Sequence, residues 1–122
     1  EPMARNILLQ KSFAEMTIAL EGARNILYKS AWLWPKSSDP IYRAILAARA
    51  KYLASEAAIM VTTKAVQVLG GRVAQKRYPL ERIYRDVRTC TLMPPSPDRC
   101  LEIVGKTELG LDDNLLMLRH AS

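Results

Sequence analysis

From Ile41 to Leu69, the residues Ile45, Ala48, Tyr52, Ser55, Ile59, Thr62, Val66 and Leu69 recur in alternating steps of three and four. That spacing fits one stripe of an α-helix and does not fit a strand. A second series, Leu46, Leu53, Ala57 and Met60, covers a neighbouring face and leaves only a narrow polar strip. A long helix that is apolar over much of its circumference needs neighbours on several sides, and its alanines permit their close approach. The segment is therefore expected to be the buried centre of an all-α fold, an antiparallel helical bundle.

The flanking segments extend this pattern. Upstream, Leu9, Phe13, Met16, Leu20, Ala23, Leu27 and Trp34 share one helical face, with Glu15, Thr17, Glu21, Arg24, Asn25 and Lys29 pointing elsewhere. Pro35 and Pro40 bracket a polar loop, because proline lacks a backbone donor and clashes with the preceding turn. Gly70 and Gly71 supply the stop for the long helix, since glycine enters positive φ without a side-chain penalty. Pro79 followed by Glu81 suits the start of a short helix, and Pro94, Pro95 and Pro97 break it. Asp98 is the expected N-cap of a last helix with Leu101, Val104 and Leu109 inward, ended by Gly110. The spacing predicts main helices over 4–34, 41–69, 80–89 and 99–109, and Asp112, Asp113 and the Leu115, Leu116, Leu118 cluster suggest one more short helix.

At 122 residues with 49% hydrophobic side chains, the chain is long enough for one cored domain spanning 1–122 and too short for two. It lacks an apolar run long enough to span a membrane, and Glu1, Pro2 and Met3 do not read as a signal peptide, so a soluble, cytoplasmic protein is expected. Cys90 and Cys100 are then expected as free thiols. The formal charge is +6, with cations concentrated at Arg72, Lys76, Arg77, Arg82, Arg85 and Arg88. Such a patch can meet phosphates. The region has few aromatics and no nucleic-acid-binding motif, however, so a solvated or subunit-facing surface is expected and no nucleic-acid partner.

One stretch carries more than architecture. An alanine-rich helix is followed by Thr63-Lys64-Ala65-Val66-Gln67-Val68-Leu69-Gly70-Gly71, then Tyr78-Pro79-Leu80-Glu81-Arg82, then Arg85-Asp86. These words, in this order and spacing, resemble the C-terminal helical domain of the acyl-CoA dehydrogenases, flavoproteins that oxidise the Cα–Cβ bond of acyl thioesters. The resemblance covers about Gln10 to Leu109. It implies that Gln67, Gly70 and Gly71 approach the adenine and pyrophosphate part of FAD held by a neighbouring subunit. An amide side chain gives directional hydrogen bonds, and a glycine turn lets backbone donors reach phosphate oxygens. From the residues alone, a polar helix end and a simple C-cap read equally well. Arg85 and Asp86 are expected in a structural ion pair or network.

The departures from the family pattern bear on chemistry. A Tyr-Glu-Gly-Thr loop usually follows Arg-Asp, and its glutamate removes the α-proton while hydride passes from the β-carbon to the flavin. Counting from Arg85-Asp86 places Met93, Pro94, Pro95 and Ser96 there. Pro94 occupies the family's general-base position but has no carboxylate, and it lacks the N–H that the resemblance implies for polarising the thioester carbonyl. Pro95 in place of glycine reshapes the loop. Ser96 takes the position of the threonine that hydrogen-bonds flavin, and reads equally as an exposed turn serine. No catalytic residue is therefore assigned. Asp98 reads as a cap, Glu102 as a surface residue, and His120 has no metal-spaced companions. Cys90 and Cys100 show neither a CxxC pattern nor a local histidine, so nucleophilic catalysis is not supported.

The resemblance also implies an N-terminal helical domain, a central β domain and a first bundle helix that the 122 residues do not match. The expectation is a fragment, a separately encoded piece or a degenerate remnant, inactive and without FAD on its own. An apolar face of the Ile41–Leu69 helix is expected to be uncovered and to require self-association or the missing flavoprotein domains. Three functions compete. The first is the C-terminal part of an acyl-CoA dehydrogenase-like oxidoreductase taking acyl-CoA-type substrates. The others are part of a flavin-dependent oxidase or monooxygenase of the same fold, and a non-catalytic helical assembly module.

Overall fold

The computed structural model describes residues 3–111, and these contain four α-helices and no strand. After a 3-10 turn at Met3–Arg5, α1 runs Ile7–Leu33. It begins at Asn6, whose side chain accepts the Leu8 amide at 2.9 Å. Pro35 converts its end into a second 3-10 turn, Trp34–Lys36. Helix α2 then spans Pro40–Leu69, with Asp39 as N-cap accepting the Ile41 amide at 3.0 Å. Pro40 is thus the first residue of the helix, where its missing N–H costs nothing. Helices α3, Leu80–Cys90, and α4, Pro97–Glu108, complete the set.

The glycine stops behave as their chemistry requires. Gly70 closes α2 at φ 61°, its amide donating to the Val66 carbonyl, and a 3-10 segment Gly70–Ala74 follows. At the end of α4, Gly110 sits at φ 69° and donates to the Thr107 carbonyl at 3.1 Å, while Leu111 donates to that of Lys106 at 2.7 Å. These two bonds form a Schellman closure, satisfying carbonyls that the helix itself leaves open.

Helix α2 is the hub, packing against α1, α3 and α4. Its contact surface is built from small residues, Ala48 (1% exposed), Ala50, Ser55 and Ala57. At one end Ile41 and Ile45 pack with Ile103 of α4. Helix α1 lies antiparallel along it: Arg43 Nε donates to the Trp34 carbonyl at 3.1 Å, buried Ser30 Oγ to the Leu46 carbonyl at 3.1 Å, and Lys64 pairs with Glu15. The Ser30 bond crosses between helices where water is excluded, so its loss leaves a buried acceptor short of a partner.

Several expectations are corrected. The cap of α4 is Ser96, whose Oγ accepts the Arg99 amide at 3.3 Å; Asp98 lies inside the first turn, where its charge meets the positive end of the helix dipole. The inward strip of α4 is consequently Cys100, Ile103, Val104 and Thr107, whereas Leu101 and Leu109 (74% exposed) face outward. Arg85 pairs with Glu81 one turn earlier, Nε to Oε1 at 2.8 Å, and not with Asp86. On α1, Met16 and Ala23 are buried, but Phe13 (56% exposed), Leu27 and Trp34 are not. The uncovered apolar surface therefore belongs to α1, where Ile7, Leu8, Ile18 and Trp32 are also exposed; on α2 Tyr42 is the one large exposed hydrophobic. The expectation placed it on α2, yet three neighbours cover α2 and a single helix covers α1 along one strip. The suggested tail helix and His120 lie outside the described residues.

Two substitutions check this packing. Ala48→Leu is expected to destabilise the chain by about 1–3 kcal/mol in urea unfolding, because added methylenes have no room against the hub; Ile18→Ala should change stability by less than about 0.5 kcal/mol. Ser96→Ala should cost about 1 kcal/mol through the lost cap, and Asp98→Ala clearly less.

Candidate functional site

The residues singled out by sequence fall in two places, the end of α2 and the corner between α3 and α4. Gln67, Gly70 and Gly71 cluster at its C-terminal end, and all three are exposed. Gly70 is explained by its positive φ. Gly71 has no such backbone requirement, and a Cβ built on it would meet nothing within 4 Å. Among the described residues, then, neither backbone conformation nor crowding requires glycine at position 71. An exposed amide beside an open glycine turn fits the polar distal part of a dinucleotide.

Pro94 and Ser96 lie in the corner between α3 and α4. Leu92, Met93, Pro94 and Pro95 form its exposed tip, and the Pro94–Pro95 peptide is cis. Beneath the tip is a dense set of polar contacts. Lys51 of α2 donates from Nζ to the Cys90 carbonyl at 2.7 Å, neutralising the negative end of α3. Thr91 is buried; its hydroxyl donates to the Arg88 carbonyl at 2.7 Å and accepts from Arg88 Nη1 at 2.8 Å. The fully buried Cys100 thiol reaches the Pro95 carbonyl at 3.8 Å. Burial pushes this thiol's pKa up, against a smaller opposing pull from Lys51, so it stays protonated as a donor and is not a nucleophile. Both cysteines are free.

Lys51, Thr91 and Cys100 were missed as contributors to this corner. The available signal was a cation, Lys51, set between Ala50 and Tyr52 within a largely apolar helix. Ser96 is engaged as a helix cap, yet its hydroxyl proton remains available to a ligand. The corner and the glycine turn are about 28 Å apart along α2, from the helical rise between Lys51 and Gly70. A small ligand cannot touch both.

No carboxylate occupies the tip at residues 92–96. Downstream, Glu102 is held between Arg99 and Lys106, Oε1 accepting from Lys106 and Oε2 from Arg99, both at 2.5 Å. The hydrogen bond from Lys106, followed by that from Arg99, lowers its pKa from the ordinary 4.5 to about 2, a poor value for a general base near neutral pH. Because the folded-state pKa is depressed, the stabilisation from this pair is present above pH 4.5 and is lost as pH falls toward about 2. Glu102→Gln should therefore shrink the acid-induced loss of stability across that window, measured by urea midpoints at each pH. Among the described residues no cluster of three or more His, Cys, Asp or Glu side chains is placed to hold a metal ion, and no helix is long and apolar enough to cross a membrane.

Comparison with known proteins agrees with this architecture. Residues 1–107 match the family model for the acyl-CoA dehydrogenase C-terminal domain. The chain is 33% identical over 88 residues to cyclohexane-1-carbonyl-CoA dehydrogenase of Geobacter metallireducens, covering 72% of this chain and 22% of that protein. It is 47% identical over 75 residues to a short-chain-specific acyl-CoA dehydrogenase of Clostridium acetobutylicum, covering 62% of this chain and 19% of that protein. The chain thus spans about a fifth of the length of these relatives. With its all-α architecture built around α2 and its match through residue 107, the chain belongs to the acyl-CoA dehydrogenase family, in the C-terminal helical domain.

Proposed function

We propose that residues 1–122 form one helical domain of a larger, cytoplasmic, FAD-dependent oxidoreductase of the acyl-CoA dehydrogenase type, and that this domain serves assembly and the distal cofactor site without supplying the base. The observation that carries this reading is the pairing of an open Gln67, Gly70, Gly71 turn with a loop tip that has prolines and no carboxylate. FAD, when bound, supplies the hydride acceptor. Gln67 would offer its amide to the adenine end, and the backbone at Gly70 and Gly71 would meet the pyrophosphate. Ser96 holds a hydroxyl donor at the edge of the α3–α4 corner, while Pro94 can neither take a proton nor donate an N–H. The 28 Å between these places, about the length estimated from helical rise, is consistent with contacts to two different cofactor molecules in an oligomer. The exposed face of α1 supplies apolar surface for self-association or for other domains of the larger protein.

The missing base also favours a second reading. In a flavin-dependent oxidase or monooxygenase of the same fold, flavin and oxygen carry the chemistry and a carboxylate at residue 94 is not required. A purely structural assembly module remains the outcome if no flavin is held by any assembly containing the chain.

The purified 122-residue chain is expected to be colourless, and a stoichiometric flavin spectrum would overturn the assembly-dependent reading. In the assembled protein, anaerobic bleaching of flavin by saturated acyl-CoA thioesters should be slow, and Pro94→Glu should accelerate it by about 100-fold or more if Pro95 leaves the new carboxylate within reach. Rapid bleaching by the unaltered protein would refute the missing-base assignment. Slow bleaching with oxygen-dependent thioester turnover would select the oxidase or monooxygenase reading.

A further inference from the structure

The structure sorts the basic residues of the Arg72–Arg88 region into different environments. Arg88 is turned into the α3–α4 corner, where it holds Thr91. Lys76, Arg77, Arg82 and Arg85 instead line one depression of about 370 Å³, between the loop that follows the glycine turn and the start of α3. That volume lies within the range of roughly 300–1,000 Å³ typical of ligand sites. Gln67, Gly70 and Gly71 do not line it, so the depression, which begins at Val73, shares no residue with the distal flavin contacts proposed above.

The charge balance of the depression is uneven. Glu81 is its one lining carboxylate, and Arg85 already engages it. Lys76, Arg77 and Arg82 thus add positive charge that no carboxylate in the lining offsets. Arg77 is also oriented, its guanidinium lying 4.7 Å from the centroid of the Tyr78 ring. Arg82 and Arg85 are one turn apart on α3, which puts both forks on the same side. Guanidinium forks match phosphate oxygens two at a time, and an ammonium adds a compact charge beside them. The Gln75 side chain adds a neutral donor, since it too lines the depression.

We propose that this depression is a binding site for a diphosphate-class anion, held by Lys76, Arg77, Arg82 and Arg85. Several cations lining a depression of this volume suit a ligand with two linked phosphoryl groups better than a single small anion. Free pyrophosphate and a nucleoside diphosphate share this chemistry.

The test is calorimetric titration of the 122-residue chain with inorganic pyrophosphate at about 50 mM salt, where surface charge is weakly screened. Saturable binding of one pyrophosphate per chain is expected, about tenfold or more tighter than sulfate. Lys76→Gln/Arg77→Gln, confined to the loop, and Arg82→Gln should each weaken it by about tenfold, as loss of a charge-assisted contact implies. Circular dichroism should show unchanged helix content in these variants, and Lys11→Gln/Lys29→Gln on α1 should bind normally. Non-saturating heats, equal affinity for sulfate, or variants that bind like the parent would overturn the proposal. ADP and adenosine distinguish the sources: ADP binding more tightly than pyrophosphate marks a nucleotide, equal binding marks the anion alone, and adenosine should fail in either case.

Discussion

Close approach of three helices to α2 is the constraint on which the molecule depends. Ala48, Ala50, Ser55 and Ala57 are small enough for neighbouring backbones to come near, and they remain buried along much of the helix. Helix–helix spacing is set by the side chains at the contact, so enlarging these residues pushes α1, α3 and α4 away from their common partner. The large apolar side chains of α2 that are buried, Ile41, Ile45 and Leu46, lie toward one end, where Ile41 and Ile45 meet Ile103. Long-range polar contacts then fix register: Ser30 to the Leu46 carbonyl against α1, Lys51 to the Cys90 carbonyl against α3, and Arg49 paired with Glu108 of α4.

This dependence reaches the α3–α4 corner. Lys51 ties the last turn of α3 to the hub, and Cys100, fully buried on α4, directs its thiol to the Pro95 carbonyl. Ser96 caps the same helix. The inner side of the loop is therefore occupied by structural contacts, while Met93 and Pro94 project outward. Chemistry at the tip is limited to what those exposed residues can offer, and prolines offer neither a proton acceptor nor an N–H donor. Glu102, a carboxylate at the surface of α4, is held ionised by two cations.

Much of the fold was legible because helical periodicity and glycine stops are local signals. The Ile41–Leu69 stripe, the stop at Gly70 and the closure at Gly110 all depend on residues close in sequence, and all appear in the structure. Contacts that depend on competition were less legible. Ser96 and Asp98 are both good caps, and placing Pro97 at the first helical position decides for Ser96. Arg85 had Asp86 beside it in sequence, but Glu81 is one turn away on the same helix face. The α1 stripe named apolar residues without revealing that one neighbour would cover so few of them. At the candidate site, the family words pointed to Gln67, Gly70 and Gly71, which are exposed at the end of α2, whereas the Lys51, Thr91 and Cys100 contacts behind Pro94 arise only when three helices meet.

On the proposed reading, this family domain, whose loop tip at residues 92–96 has no carboxylate, does not supply the proton-abstracting group. The most direct measurement is deuterium incorporation at Cα of a saturated acyl-CoA thioester, followed by mass spectrometry after incubation in D2O with the assembled protein. Thioester binding is verified in parallel by equilibrium dialysis. A protein whose loop tip carries Pro94 in place of a base should bind thioester without accelerating exchange at Cα. Rapid incorporation by the unaltered protein would contradict loss of the base.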